Sequence, residues 1–170
     1  MDPQLYGLAQ AVGIALKQNS LMLVTAESCT GGWVGEAVTM IPGSSEWFER
    51  GFITYTNVAK QEMLGVRAAT LADHGAVSEQ TVREMAEGAL ARSHAHIAVS
   101  VSGVAGPSGG TAAKPVGMVC FGWGWRDAEA VSLTRHFAGD REAVRRQAVI
   151  EALEGVLRLL TAAATGPSPG

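Results

Sequence analysis

The chain has 170 residues, 47% of them hydrophobic and 17% charged, with 21 glycines. That length and content suit one globular domain, expected over residues 1–164, and exclude a disordered chain. The 13 basic and 16 acidic side chains leave a net charge of −3, so no electrostatic footprint points to nucleic acid or an anionic membrane as partner.

In chain order, Leu5, Leu8, Ala9, Val12, Ala15 and Leu16 recur at helical spacing and predict an amphipathic first helix, with Pro3 at an early helical position. Leu21 to Thr25 reads as a buried strand that ends in Ala26-Glu27-Ser28-Cys29-Thr30-Gly31-Gly32. A second helix follows, with Val34, Ala37, Val38 and Ile41 on its apolar face and Pro42-Gly43 beyond its end. Phe52 to Tyr55 reads as a strand, and Asn57 as the cap of a short helix carrying Lys60, Met63 and Leu64. Ser78 caps a helix striped by Val82, Met85, Ala86, Ala89 and Leu90. Ile97 to Ser102 reads as a strand opening onto a glycine-rich loop. Gly117 to Trp125 and Ala130 to Phe137 read as strands joined by a tight turn at Arg126-Asp127, a connection only antiparallel neighbours can share. The last helix opens at Asp140, with Val144, Ala148, Ala152, Val156 and Leu160 four residues apart, and residues 165–170 read as a flexible tail. The alternation predicts an α/β layered domain with a mixed sheet.

Cys29 and Cys120 are too few for a disulfide framework. No apolar run reaches the ~20 residues of a membrane span, and Met1-Asp2-Pro3-Gln4 lacks the charged and apolar regions of a signal peptide. The expected compartment is the cytoplasm. His74, His94, His96 and His136 have no zinc-ligand spacing, neither cysteine has a partner two residues away, and nucleotide-binding glycine fingerprints are missing. No metal or cofactor is expected.

Three segments carry possible chemistry. In Thr25 to Gly32, hydroxyls and a thiol sit where a buried strand passes into a helix, the edge at which α/β sheets bind ligands. Amides at a helix start can hold a phosphate or a developing oxyanion. Read alone, the segment fits a capped turn equally well. In Gly43 to Lys60, Tyr55 ends a strand and Lys60 follows after about one helical turn, so a lysine base could reach the same edge. A core-edge tyrosine and a solvated lysine is the plainer reading. In Ser100 to Pro107, small hydroxyls and glycines, Ser102 and Gly103 among them, suit the floor under a flat ligand, or a plain loop. Three such edges in one small domain favour a shared pocket.

These segments resemble the CinA C-terminal domain family, the nicotinamide-nucleotide amidohydrolases of the PncC type. The matching blocks are Thr25-Ala26-Glu27-Ser28-Cys29-Thr30-Gly31-Gly32, then Gly43-Ser44-Ser45 with Gly51, Tyr55 and Lys60, and Gly75-Ala76-Val77-Ser78-Glu79. Ser102-Gly103-Val104-Ala105-Gly106-Pro107 with Lys114-Pro115-Val116-Gly117, and Gly139-Asp140-Arg141 with Val144-Arg145, complete the set, which spans residues 5–163. The resemblance implies a three-layer α/β/α sandwich with a mixed, mostly parallel sheet, found commonly as a homodimer. It also implies hydrolysis of the carboxamide of nicotinamide mononucleotide to nicotinate mononucleotide and ammonia. By matching position, Ser28 is the implied nucleophile and Lys60 its base, with Tyr55 orienting the pair or relaying the proton. Amides near Cys29 to Gly31 are the implied oxyanion donors. Thr30, Gly31, Ser45, Ser102 and Gly103 are implied substrate contacts, and Arg145, then Arg141, are implied to hold the phosphate.

Two other readings stay open at this stage. One is a nucleotide-binding module acting in competence or DNA-damage responses without catalysis. The other is a cysteine hydrolase built on Cys29, which would need a base partner that no matching block supplies as histidine.

Overall fold

The computed structural model describes residues 2–164. The first helix, α1 (Pro3–Gln18), starts where expected: the Asp2 carboxylate accepts the amides of Gln4 and Leu5, and Pro3 fills the first helical turn. It is followed by β1 (Leu23–Glu27), α2 (Trp33–Thr39), a 3-10 turn (Ser44–Glu46), β2 (Phe48–Ile53), α3 (Asn57–Leu64), α4 (Ala68–His74) and α5 (Glu79–Ala91). Then come β3 (Ile97–Gly103), β4 (Met118–Trp125), β5 (Val131–His136) and α6 (Arg141–Ala164).

The sheet order is β2-β1-β3-β4-β5. β1 pairs in parallel with β2 and β3, while β4 runs antiparallel to β3 and β5. Only β4 opposes the common direction, so the sheet is mixed and mostly parallel. Alternation along the strands builds two cores. Leu23, Ile97, Val99, Val101 and Phe121 face α1, α2 and α6. Val24, Ala26, Ala98 and Cys120 face α5 and Leu64 of α3. The result is a three-layer α/β/α sandwich. Each of the fully buried Leu, Ile, Val and Phe side chains among these contributes about 1.5–3 kcal/mol. The Trp123 indole also donates to Ala152 O at 3.0 Å, tying β4 to α6.

The local departures have local causes. β2 begins at Phe48 rather than Phe52; it is an edge strand whose Glu49, Arg50 and Gly51 interrupt the apolar pattern. β1 continues to Glu27 because that carboxylate, although buried, is fully partnered. The cap of α3 is Thr56, whose hydroxyl accepts Ala59 N at 3.1 Å, and Asn57 is the first helical residue. α4 was not expected from the sequence, since its seven residues show no clear apolar period. The tail expected at residues 165–170 lies outside the described residues. Among those described, no helix is long and apolar enough to cross a membrane.

Candidate active site

The carboxyl ends of β1, β2 and β3 share one edge of the sheet, and α3 returns Lys60 to it. Ser28 leaves β1 with its amide still bonded to Val101 O at 3.0 Å. Lys60 Nζ stands 3.1 Å from Ser28 Oγ. It also donates to Thr54 O at 3.1 Å and Tyr55 O at 3.3 Å. Lys60 is only 1% exposed, and burial holds its amine below the ordinary 10.5. The two carbonyls can occupy two N–H bonds of a neutral amine, leaving its lone pair toward the Ser28 hydroxyl. That geometry lets the amine take the serine proton. No comparable activation reaches Cys29. Its thiol is buried and pushed up to about 12, chiefly by that burial, so almost none of it is thiolate at neutral pH.

The turn after Ser28 is held from beneath by Glu27, a residue the sequence reading passed over. Glu27 is 2% exposed and accepts from Thr30 Oγ1 at 2.7 Å, Val34 N at 2.8 Å and Gly35 N at 3.1 Å. Its carboxylate thus occupies the amides of the first turn of α2, where an anion is favoured. The signal was an acidic residue closing an otherwise apolar strand just before a helix start. Gly31 and Gly32 adopt φ of +59° and +101°, which only glycine takes without strain. Gly31 N turns back to Ser28 O at 3.0 Å. The amides of Cys29 and Thr30 have no acceptor among the described residues. The oxyanion donors expected near Cys29 to Gly31 therefore narrow to those two. Thr30 is buried with its hydroxyl donated to Glu27, and it borders the outer cleft.

The other expected residues divide. A cleft of about 300 Å³ is lined by Ser28, Tyr55, Lys60, Ser102, Gly103 and Arg141, among others. At Gly103 a Cβ would meet Met118 O at 2.9 Å and Val119 Cγ2 at 2.7 Å, so a side chain there would force β3 and β4 apart. Tyr55 meets the Ser28–Lys60 pair through its carbonyl. Its ring is 57% exposed, and its hydroxyl accepts from Arg141 Nη2 at 3.0 Å. The phenol expected to orient the pair or relay the proton thus points to Arg141, while the contact with Lys60 is made by main chain. Arg141 also donates to Gly106 O at 2.7 Å. Arg145 donates to Cys29 O at 3.0 Å and Thr30 O at 3.1 Å and lies 5.3 Å over the Trp33 ring. Arg145 borders an outer cleft of about 730 Å³ with Gly31 and Trp33, whereas Arg141 borders both clefts. The structure does not bring Ser45 to this edge. It is exposed on the 3-10 turn before β2, at the opposite edge of the sheet, where Leu23 N bonds Trp47 O. Its expected role came from its place in a matched block, and β2 separates it from the cleft within one chain.

Among the described residues, no three His, Cys, Asp or Glu side chains converge as a metal-binding group. Fold and site together define an α/β sandwich protein with a buried serine–lysine pair at the carboxyl edge of its sheet. The chain belongs to the CinA C-terminal domain family, whose family model matches residues 5–160. It is 55% identical over 153 residues to nicotinamide-nucleotide amidohydrolase PncC of Escherichia coli (strain K12), covering 90% of this chain and 93% of that protein. It is 52% identical over 161 residues to PncC of Pseudomonas putida, covering 95% and 99%. The crystal structure of competence/damage inducible protein CihA from Agrobacterium tumefaciens superposes with a TM-score of 0.90 at 44% identity, covering 95% and 98%.

Proposed function

We propose that the chain hydrolyses the carboxamide of nicotinamide mononucleotide to nicotinate mononucleotide and ammonia, a step of pyridine nucleotide salvage, with Ser28 as nucleophile. The observation that carries this reading is the buried Lys60 amine 3.1 Å from Ser28 Oγ, in a chain so similar to proteins named for that reaction. Neutral Lys60 takes the Ser28 proton as Oγ bonds to the amide carbon. The oxygen, now negative, accepts from the Cys29 and Thr30 amides. Collapse breaks the C–N bond, and the proton on Lys60 passes to the departing nitrogen, releasing ammonia. Water, losing a proton to Lys60, then attacks the Ser28 ester, and the acid leaves as Ser28 recovers that proton from Lys60, the acid ionising to the carboxylate in solvent. The direct test is ammonia release by the purified protein from nicotinamide mononucleotide. A protein that binds this nucleotide without releasing ammonia would instead be the non-catalytic module. The cytoplasm and a homodimer belong to the same reading, the latter tested by sedimentation.

The rate should report the protonation of Lys60. Only the neutral amine accepts the Ser28 proton, so kcat/KM should rise with pH through one ionisation whose midpoint lies below 10.5. The unfolded chain holds that proton to higher pH than the folded chain, so the stability contribution of this group also rises with pH between the two values. Lys60→Arg, which cannot deprotonate at any working pH, should abolish the rise along with the activity. A wild-type profile flat from pH 6 to 10 would remove Lys60 as the base.

Arg141, which borders both clefts, is the better placed arginine for the substrate phosphate. A charge-assisted contact contributes roughly 1.5–3 kcal/mol, so nicotinamide riboside should fall about tenfold to a hundredfold below the nucleotide in kcat/KM. Arg141→Ala should shrink that gap by slowing the nucleotide alone. Equal kcat/KM for nucleotide and riboside in the wild type would rule out phosphate recognition.

A further inference from the structure

Ser102 has no task in the steps above, yet it stands beside the nucleophile. β1 and β3 pair in register from Leu23–Ile97 to Glu27–Val101, and the Ser28 N to Val101 O bond of 3.0 Å adds one more rung. Ser28 and Ser102 are therefore direct neighbours on one face, their strands about 4.8 Å apart. Both line the same cleft. Ser102 is 1% exposed, and its hydroxyl has no hydrogen-bond partner among the described residues. The nearby hydroxyls are otherwise occupied: Ser100 donates to Val82 O at 2.6 Å and Thr30 to Glu27 at 2.7 Å. The unpartnered oxygens of Thr25 and Thr54 are sealed from solvent. Ser102 alone of this group offers the cleft a hydroxyl that no protein group occupies, open to a bound ligand.

The two flanks of Ser28 differ in kind. On the α2 side lie the Cys29 and Thr30 amides, which can only donate. On the β3 side lies the Ser102 hydroxyl, whose oxygen can accept. A primary carboxamide has the complementary ends, a carbonyl oxygen that accepts and an NH₂ that donates. We propose that Ser102 reads the amide nitrogen of the substrate, its Oγ accepting an N–H bond that fixes which end of the carboxamide faces the oxyanion donors. The proposal rests on the amidase reading and adds no covalent step. Turned end for end, the same amide would set its NH₂ against two donors, a mismatch the Ser102 hydroxyl could not repair by donating to the carbonyl.

The test compares nicotinamide mononucleotide with the methyl ester of nicotinate mononucleotide, which has no N–H to read. In Ser102→Ala, kcat/KM on the amide should fall about tenfold to a hundredfold, while the ester should change by less than about threefold. Ser102→Thr, which keeps the hydroxyl, should recover part of the amide rate. The pH midpoint set by Lys60 should not move in either variant. Equal losses on amide and ester, or an unchanged amide rate in Ser102→Ala, would overturn the role of Ser102 while leaving the amidase reading intact. A wild-type protein inactive on the amide overturns the amidase reading and this one with it.

Discussion

Ser28→Ala is expected to lower kcat for ammonia release by roughly a thousandfold or more, because it removes the atom that bonds to the amide carbon. Substrate binding should persist, since the two clefts and Arg141 are untouched. The fold should persist too: Lys60 keeps its carbonyl partners at Thr54 and Tyr55. Cys29→Ala is the control. The Cys29 thiol, pushed up to about 12, contributes almost no thiolate at pH 7, and the variant should retain most of its turnover. Single-turnover kinetics on both variants, with the nucleotide dissociation constant from calorimetry, decide the matter. Activity kept in Ser28→Ala and lost in Cys29→Ala would reverse the assignment.

The largest effect on stability is expected from Glu27→Ala. Three donors, the Thr30 hydroxyl and the Val34 and Gly35 amides, would lose one shared acceptor. Each buried donor left without an acceptor costs roughly 1–3 kcal/mol, and the three together should lower Tm by about 10 °C or more in a protein of this size. Activity should fall as well, because the same carboxylate holds the turn that aims the Cys29 and Thr30 amides. Glu27→Gln keeps an acceptor oxygen and should fall between the two. A melting curve unchanged in Glu27→Ala would mean that the turn is held by the glycines and Arg145 alone.

The sandwich was legible in the sequence because its determinants are periodic. The stripe of α5, the four-residue spacing of α6 and the apolar runs of β1 and β3 each follow from one-sided or two-sided burial. Ser28 was legible for a related reason: a hydroxyl at a strand–helix junction followed by two glycines is a local pattern. The contact with Lys60 was not local. It depends on β2 lying parallel beside β1 and on Thr56 starting α3 just early enough to return the lysine to the edge. The resemblance supplied the pair before any spacing could. The same route grouped Ser45 with them, since a shared block says nothing about which edge of the sheet each of its residues reaches. The arginines were assigned to a substrate phosphate, and both also hold carbonyls of the chain. Such bonds between a helix and a distant turn leave no periodic trace.

The carbonyls of Thr54 and Tyr55 that seat the Lys60 amine have a consequence for how this site can be dissected. A triad made of side chains surrenders its third member to alanine scanning. Here the orienting acceptors are peptide groups, present whatever residues occupy positions 54 and 55. Tyr55→Phe should therefore leave the chemistry of the pair nearly intact and register only at the mouth, through Arg141. Replacing the 54–55 or 55–56 peptide bond with an ester, which weakens the carbonyl as an acceptor while keeping every side chain, would reach the seat of the base directly. A library of side-chain variants, however complete, would count two groups where the backbone supplies two more.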